Sequence, residues 1–199
     1  MNVVKGLMRG AMALAIAASV AAPASATTLV RASLDDLVAA NGAVVLGEVV
    51  DVESYWNADG NFILTDVRFS VSDVLKGNAV RGNELTITLM GGRVGDLTTL
   101  IIGGPELIPG KSYVVFLNEE SLPGAQALTV RDLVQGAFDV VVAKDGLRAV
   151  SQANSHPLIP DKQGYMDAPG GVEGFPLTAM MQSIREIAAR PAAAQREMN

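Results

Sequence analysis

The chain has 199 residues, no cysteine and a formal net charge of −6 at pH 7. Its length fits one domain with a short appendage, and without disulfides the fold must be held by packing alone. Excess negative charge argues against binding to nucleic acid or to anionic membrane surfaces, because both repel an acidic chain.

The first 26 residues have the pattern of a cleaved secretory signal peptide. Lys5 and Arg9 supply a positive start, residues 12–20 form a short apolar run, and residues 24–26 read Ala-Ser-Ala. The apolar run is too short to cross a bilayer, and a lipid anchor would need a cysteine. We therefore expect cleavage after Ala26, export to the periplasm or the extracellular medium, and no membrane anchor afterwards.

A short helix is predicted next, within a domain that we place at residues 27–150. Ser33 and Asp36 have the spacing of a capping box, in which each side chain binds the other residue's backbone N–H. Asn41-Gly42 gives a stop signal. The apolar face of this helix consists of Leu34, Leu37 and Val38.

A long β-hairpin follows, with strands at 43–54 and 62–75 and a turn at Asp59-Gly60. The second strand alternates apolar and polar residues, which predicts one buried and one exposed face. The first strand is irregular around Gly47, where a bulge or bend is expected. Glu48 breaks the apolar pattern, so it must reach the surface or pair with Arg68 or Lys76.

Several shorter strands are predicted after the hairpin, separated by Gly and Pro turns. We then expect an irregular connecting segment at 151–176, an amphipathic helix at 177–190 and a frayed tail at 191–199. Many short strands with two helices predict a mainly β fold, specifically a small OB-like, partly open β-barrel. The predicted strands are 84–90, 98–102, 112–117, 127–130, 137–142 and 147–150.

The pattern of motifs resembles a group of exported bacterial proteins without assigned function. The shared features are a Val-Val-x-Gly-x-Val strand at 44–49, Asp59-Gly60, a strand at 65–71, Leu-Lys-Gly at 75–77, Gly91-Gly92 and a strand at 110–117. This resemblance covers roughly residues 34–142 and implies an exported β domain.

The order of elements also resembles the netrin-like OB barrel of tissue inhibitors of metalloproteinases. That family inhibits through an amino-terminal cysteine that chelates the protease zinc, and this chain has no cysteine. The resemblance therefore implies a fold more than an activity. A metalloproteinase-inhibitor-like function remains an alternative by analogy of fold.

The sequence predicts no catalytic residue, metal site or cofactor. The single histidine, His156, has no companion motif for a triad or a zinc site and is interpreted as a solvated loop residue. Glu48 with Asp51 or Glu53 would be the carboxylate pair of a hydrolase, which we keep as the weaker alternative.

We expect a non-catalytic binding module whose partner is an unknown protein or extracellular ligand. Its predicted contact surface is the hairpin tip together with the glycine-rich loop at 91–95, because loops on a rigid barrel commonly carry binding residues. Calcium at Asn57, Asp59 and Asn61 is the less favoured interpretation of the same turn. The candidate residues are Tyr55, Trp56, Asn57, Asp59, Asn61 and Arg93.

Overall fold

The computed structural model describes residues 29–79, 82–156, 158–159 and 168–190. Within these ranges the chain is mainly β with two α-helices. The strands are β1 (Leu29–Val30), β2 (Ala43–Trp56), β3 (Ile63–Lys76), β4 (Glu84–Met90), β5 (Gly92–Val94), β6 (Leu97–Thr99), β7 (Ser112–Leu122), β8 (Ala125–Val130), β9 (Ala137–Ala143), β10 (Gly146–Ser151), β11 (Leu158–Ile159) and β12 (Phe175–Pro176). The helices are α1 (Leu34–Ala40) and α2 (Leu177–Ala188), with 3₁₀ helices at Leu133–Gly136 and Gln152–Ser155. The predicted signal peptide at 1–26 and tail at 191–199 lie outside the described residues.

One antiparallel sheet of eight strands organises the fold. Its order is β12-β10-β9-β7-β2-β3-β4, and β8 pairs with β7. The sheet is not closed into a barrel, because within the described ranges no ladder joins β4 to β8. One edge of β7 pairs first with β9, at Tyr113–Val115, and then with β8, at Leu117–Leu122.

The irregularity predicted in the first hairpin strand is confirmed at Gly47. Register shifts between β2 and β3 fall at Val44/Val45, Leu46/Gly47 and Val49/Asp51. A Cβ atom on Gly47 would lie 2.2 Å from the Ser70 carbonyl oxygen, so the two backbones approach too closely for a side chain. The shift after Val49 turns the apolar face of β2 from odd to even positions, because one extra residue reverses every later side chain.

The sheet has an apolar cluster on each of its two faces. The first cluster contains Val45, Phe69, Ile87, Tyr113 and Val130, from five different strands. The second cluster lies under the two helices, and the predicted apolar stripe of α2 is confirmed as its outer layer. Its members include Leu37, Val38, Val44, Phe116, Phe138, Leu177, Met180, Ile184 and Ile187.

Helix α1 begins and ends at residues with identifiable partners. The capping box is confirmed, since the Asp36 amide donates to Ser33 Oγ at 3.1 Å and the Ser33 amide donates to Asp36 Oδ2 at 3.0 Å. At the other end, Lys76 Nζ donates to the carbonyls of Val38 and Asn41. The Lys76 ammonium group therefore binds the end of α1 instead of pairing with Glu48. The side chain of Glu48 is exposed.

Two predicted segments differ from the observed structure. The strand predicted at 98–102 is only Leu97–Thr99, because β5 supplies backbone partners for three residues and no more. Within the segment predicted to be irregular, β11 pairs in parallel with β1, and β12 pairs with Arg148 and Ala149 of β10. Residues 157 and 160–167 of that segment lie outside the described ranges.

We expect Gly47→Ala to destabilise the fold by about 1–3 kcal/mol, the usual cost of overpacking. The added methyl group would collide with the Ser70 backbone, which cannot move without disturbing the β2–β3 ladder. Gly60→Ala is the matched control, because Gly60 has a φ of +67° but open space around it. Gly60→Ala should lower the free energy of unfolding by about 1–2 kcal/mol through backbone strain alone. Urea unfolding measures both variants, and a Gly47 variant as stable as wild type would contradict the close approach.

Lys76→Met should destabilise the protein by about 1–3 kcal/mol, since the aliphatic stem is retained but two carbonyls lose their charged donor. Burial lowers the pKa of Lys76, as expected for an ammonium group partly removed from water. Lys144→Met, at an exposed turn position, is the control and should change stability by less than about 0.5 kcal/mol. Equal midpoints in urea for the two variants would show that the cap contributes nothing.

Candidate binding surface and cleft

The tip of the β2–β3 hairpin is held together by one buried side chain, Asn57. Its Oδ1 accepts from the amides of Asn61 and Phe62, both at 3.0 Å. Its Nδ2 donates to Asn61 Oδ1 and to the Pro123 carbonyl in the β7–β8 turn. Asn57 is 5% exposed. It therefore shapes the turn, and its oxygen is already engaged by backbone amides rather than facing outward as a calcium ligand.

Tyr55 is also tied into the sheet. Its hydroxyl donates to Asp66 Oδ1 at 3.1 Å, and Thr88 Oγ1 donates to the same oxygen at 2.7 Å. Burial and then the Asp66 carboxylate raise the pKa of Tyr55, because both disfavour a phenolate. The Asp66 carboxylate thus joins side chains of β2, β3 and β4, and the Tyr55 side chain is only partly accessible.

The exposed members of the predicted surface at this tip are Trp56, Asp59 and Asn61. Trp56 is 40% exposed, a high value for a large aromatic ring. Asp59 and Asn61 follow in the turn, and both are exposed. These three residues define what we call the hairpin tip.

The glycine-rich segment lies directly against the same hairpin. Gly91 donates its amide to the Ile63 carbonyl at 2.9 Å and accepts from Thr65 Oγ1 at 2.6 Å. A Cβ atom on Gly92 would lie 2.2 Å from Thr65 Oγ1, and Gly92 has a φ of +132°, so only glycine fits. Strands β5 and β6 then form a small hairpin in which exposed Arg93 donates from Nε to the Gly95 carbonyl at 3.0 Å.

The segment after β5 carries exposed apolar side chains that the sequence interpretation missed. Leu100 and Ile102 are each 81% exposed, and Leu97 and Met90 are also exposed. Residues 97–102 read Leu-Thr-Thr-Leu-Ile-Ile between glycines, and we predicted a strand at 98–102. Its short length and flanking glycines were the available signal, because such a run can equally form a loop. We refer to Met90, Arg93, Leu97, Leu100 and Ile102 as the rim.

A cleft with two chambers lies beside the rim. The apolar chamber has a volume of about 620 Å³ and is lined by Met90, Arg93, Leu100 and Ile102 among others. The polar chamber has a volume of about 340 Å³. Both are lined by Gly104, Glu106 and His156, so these residues form the wall that the chambers share. Lining residues of the polar chamber also include Ile108, Lys111, Tyr113, Asp139 and Gln152.

The structure changes the interpretation of His156 as a solvated loop residue. The side chain is partly buried, and its Nδ1 atom is buried without any hydrogen-bond partner. It is the one buried side-chain N or O atom in the described part of the chain that lacks a partner. Its backbone is fixed by a hydrogen bond from its amide to the Ala153 carbonyl at 3.0 Å. Sequence alone gave no signal of this, because His156 is far along the chain from Glu106, Tyr113 and Asp139, which line the same chamber.

The floor of the polar chamber is held by hydrogen bonds between its own residues. Tyr113 is 1% exposed, and its hydroxyl oxygen accepts from the Ile108 amide at 3.0 Å. Gln152 binds the Glu106 backbone in both directions, at 2.9 Å from the amide and 2.7 Å to the carbonyl. Its Nε2 also donates to Asp139 Oδ1 at 3.0 Å. Burial raises the pKa of Tyr113, and the carboxylates of Asp139 and Glu106 raise it further.

A strained turn supports the cleft from behind. Asp132 and Leu133 have φ values of 62° and 54°, in the left-handed region that non-glycine residues seldom adopt. The 3₁₀ helix at Leu133–Gly136 binds the residue that follows the rim, since the Val134 amide donates to the Gly103 carbonyl at 2.9 Å. Gln135 fastens the N-terminal segment through Ala32 and Val30. The strain is thus retained by contacts on both sides.

The carboxylates that a hydrolase would need on β2 lie outside the cleft. Asp51 pairs with Arg68 at 3.0 Å, and this hydrogen bond lowers the pKa of Asp51. Glu48 and Glu53 are exposed on the same strand. None of the three lines either chamber.

Comparison with protein-family models, curated proteins and solved structures finds no match. Among the described residues, no group of three or more His, Cys, Asp or Glu side chains is arranged to hold a metal ion. No helix in the described part of the chain is both long and apolar enough to cross a membrane.

Asn57→Ala should lower the free energy of unfolding by about 1–3 kcal/mol, because its buried side chain and the part-buried backbone groups at the tip and in the β7–β8 turn lose their hydrogen bonds. Asp59→Ala, two residues away and exposed, should change it by less than about 0.5 kcal/mol. Urea unfolding of both variants tests whether Asn57, and not Asp59, stabilises the turn. A destabilised Asp59 variant beside an unaffected Asn57 variant would reverse the roles assigned here.

Proposed function

We propose that this chain is an exported, non-catalytic binding module that holds a protein partner through the rim and the adjacent hairpin tip. The observation that carries the proposal is the exposure of Leu100 and Ile102, each 81% accessible, in a segment where Leu97 and Met90 are exposed as well. Exposed apolar side chains cost free energy in water, about 25 cal/mol for each Å² of apolar surface. A partner that covers them recovers this free energy.

The composition of the rim fits a protein interface. Interface cores are enriched in aromatic residues, Met and Arg, and hot spots are rich in Trp and Arg. Here Met90 and Arg93 accompany the apolar residues, and Trp56 lies in the neighbouring strand pair. The backbone link is direct, because Gly91 binds the carbonyl of Ile63, which pairs with Trp56.

The proposal includes an OB-like, partly open barrel as the scaffold. Its support is that β4 and β8, the two open edges, have Cα atoms within 8 Å of each other without a ladder. Strands β2, β3, β4, β7 and β8 also contribute to a single apolar cluster. Export is supported by the signal-like pattern at 1–26.

The test is partner capture by immobilised protein comprising residues 27–199, applied to the extracytoplasmic fraction of the source cells. The double variant Leu100→Ser/Ile102→Ser should weaken retention of the partner at least about tenfold, because truncation of central apolar contacts commonly costs that much. Trp56→Ser should weaken retention by a smaller factor.

The matched control is Val142→Ser/Leu147→Ser, which removes two exposed apolar side chains from the β9–β10 hairpin. This variant should retain the partner at wild-type levels. Retention that is insensitive to the rim variant, or equally sensitive to both double variants, would refute the proposal. Unfolding midpoints of all variants distinguish lost contacts from lost folding.

A further inference from the structure

The cleft offers two different environments on either side of one wall. On one side, Leu100, Ile101 and Ile102 line the apolar chamber. On the other side, the polar chamber is lined by Asp139, and Glu106 lies in the shared wall. Their volumes, about 620 and 340 Å³, are each within the range of known ligand pockets. A ligand that fills both must therefore carry an apolar group and a polar group close together.

The polar chamber has hydrogen-bond acceptors available at its wall. Asp139 uses one carboxylate oxygen with Gln152, which leaves the other oxygen for a further donor. His156 Nδ1 is buried without a partner, and a neutral imidazole nitrogen can accept a hydrogen bond. The side chain of Glu106 is exposed beside them, while its backbone is fixed by Gln152. These acceptors suit a group with several N–H donors.

The charge of the chamber selects the kind of donor. Two carboxylates line it, and Lys111 is the single Lys or Arg among its lining residues. A divalent cation is not favoured, because the described residues contain no group of three suitable ligands. An organic cation remains, since guanidinium and ammonium groups form charge-assisted hydrogen bonds with carboxylates.

We infer that the cleft binds a peptide segment that carries a basic side chain next to an apolar one. The basic group enters the polar chamber between Glu106, Asp139 and His156, and the apolar side chain enters the chamber beside Ile102. This inference rests on the proposed function, because it identifies the part of the partner protein that the module recognises. It also gives the unpartnered Nδ1 atom a donor.

The test uses defined peptides and isothermal titration calorimetry on the folded protein. The probes are acetyl-Leu-Arg-amide, acetyl-Leu-Gln-amide and acetyl-Ser-Arg-amide. The first should bind about tenfold more tightly than either of the others, because each lacks one of the two matched groups. Equal affinity for the Arg and Gln probes, or no saturable binding of the Arg probe at about 10 mM, would overturn the inference.

Variants of the chamber then locate the site. Glu106→Gln and Asp139→Asn should each reduce the Arg-over-Gln preference by about threefold or more, because each removes a charge but keeps an acceptor oxygen. Glu106 is exposed, so its variant tests the inference even if the Asp139 variant folds poorly. Glu119→Gln, an exposed position on β7, should leave the preference unchanged. An unchanged preference in the Glu106 variant would place the binding elsewhere.

The two proposals fail in different experiments. If the peptides show no preference but partner capture still depends on Leu100 and Ile102, the inference is refuted and the proposed function stands. If the peptides bind as expected but capture ignores the rim, the cleft is a peptide site and the rim is not the protein interface.

Discussion

The close approach of β3 to Gly47 is the constraint on which the sheet depends. A Cβ atom there would lie 2.2 Å from a backbone oxygen, so the chain can bring these two strands together only through glycine. The register shifts on either side let β2 bend and exchange its buried face. As a result β2 pairs with β7 over residues 43–48 only, and beyond Glu48 it continues with β3 as a hairpin. Both apolar clusters include β2 residues from the paired half.

The bend brings distant turns into contact at the end of that hairpin. Asn57 binds the Pro123 carbonyl, which lies 66 residues away along the chain. Gly91 and Gly92 pack against the same hairpin through Thr65. From there the chain runs through the rim to Gly103, which the 3₁₀ helix at Leu133–Gly136 holds in place. The exposed apolar side chains therefore lie between two fixed points, so a partner would meet a surface that needs little ordering before it binds.

Local patterns in the sequence predicted the structure correctly where it depends on the spacing of a few neighbouring residues. The Ser33–Asp36 capping box, the apolar stripe of α2 and the irregularity at Gly47 all follow from residue spacing, and all three are confirmed. The strand predicted at 98–102 was wrong in its extent. The observed strand is Leu97–Thr99, and an exposed loop with Leu100 and Ile102 follows, because pairing and burial depend on what lies opposite. The cleft could not be predicted from the sequence for the same reason. His156, Tyr113 and Glu106 come from separate segments, and only the tertiary fold joins them. The predicted OB-like barrel would require a long-range ladder between β4 and β8, and no local pattern in the sequence specifies such a ladder.

The two ends of the candidate site differ in their unfavourable features, which are unpartnered polar atoms and strained backbone. Beside the hairpin tip, Asn57 and Tyr55 have hydrogen-bond partners within the protein, so this end of the site is stable without a ligand. At the cleft, the buried Nδ1 atom of His156 has no hydrogen-bond partner among the protein atoms. The left-handed residues Asp132 and Leu133 behind it each add about 1–3 kcal/mol of backbone strain. Contacts through Gln135 and Gly103 hold the strained turn, but nothing in the described chain offsets the nitrogen. A donor from a bound partner would offset it, and that is the physical reason to place recognition of a basic group at His156 rather than at the tip.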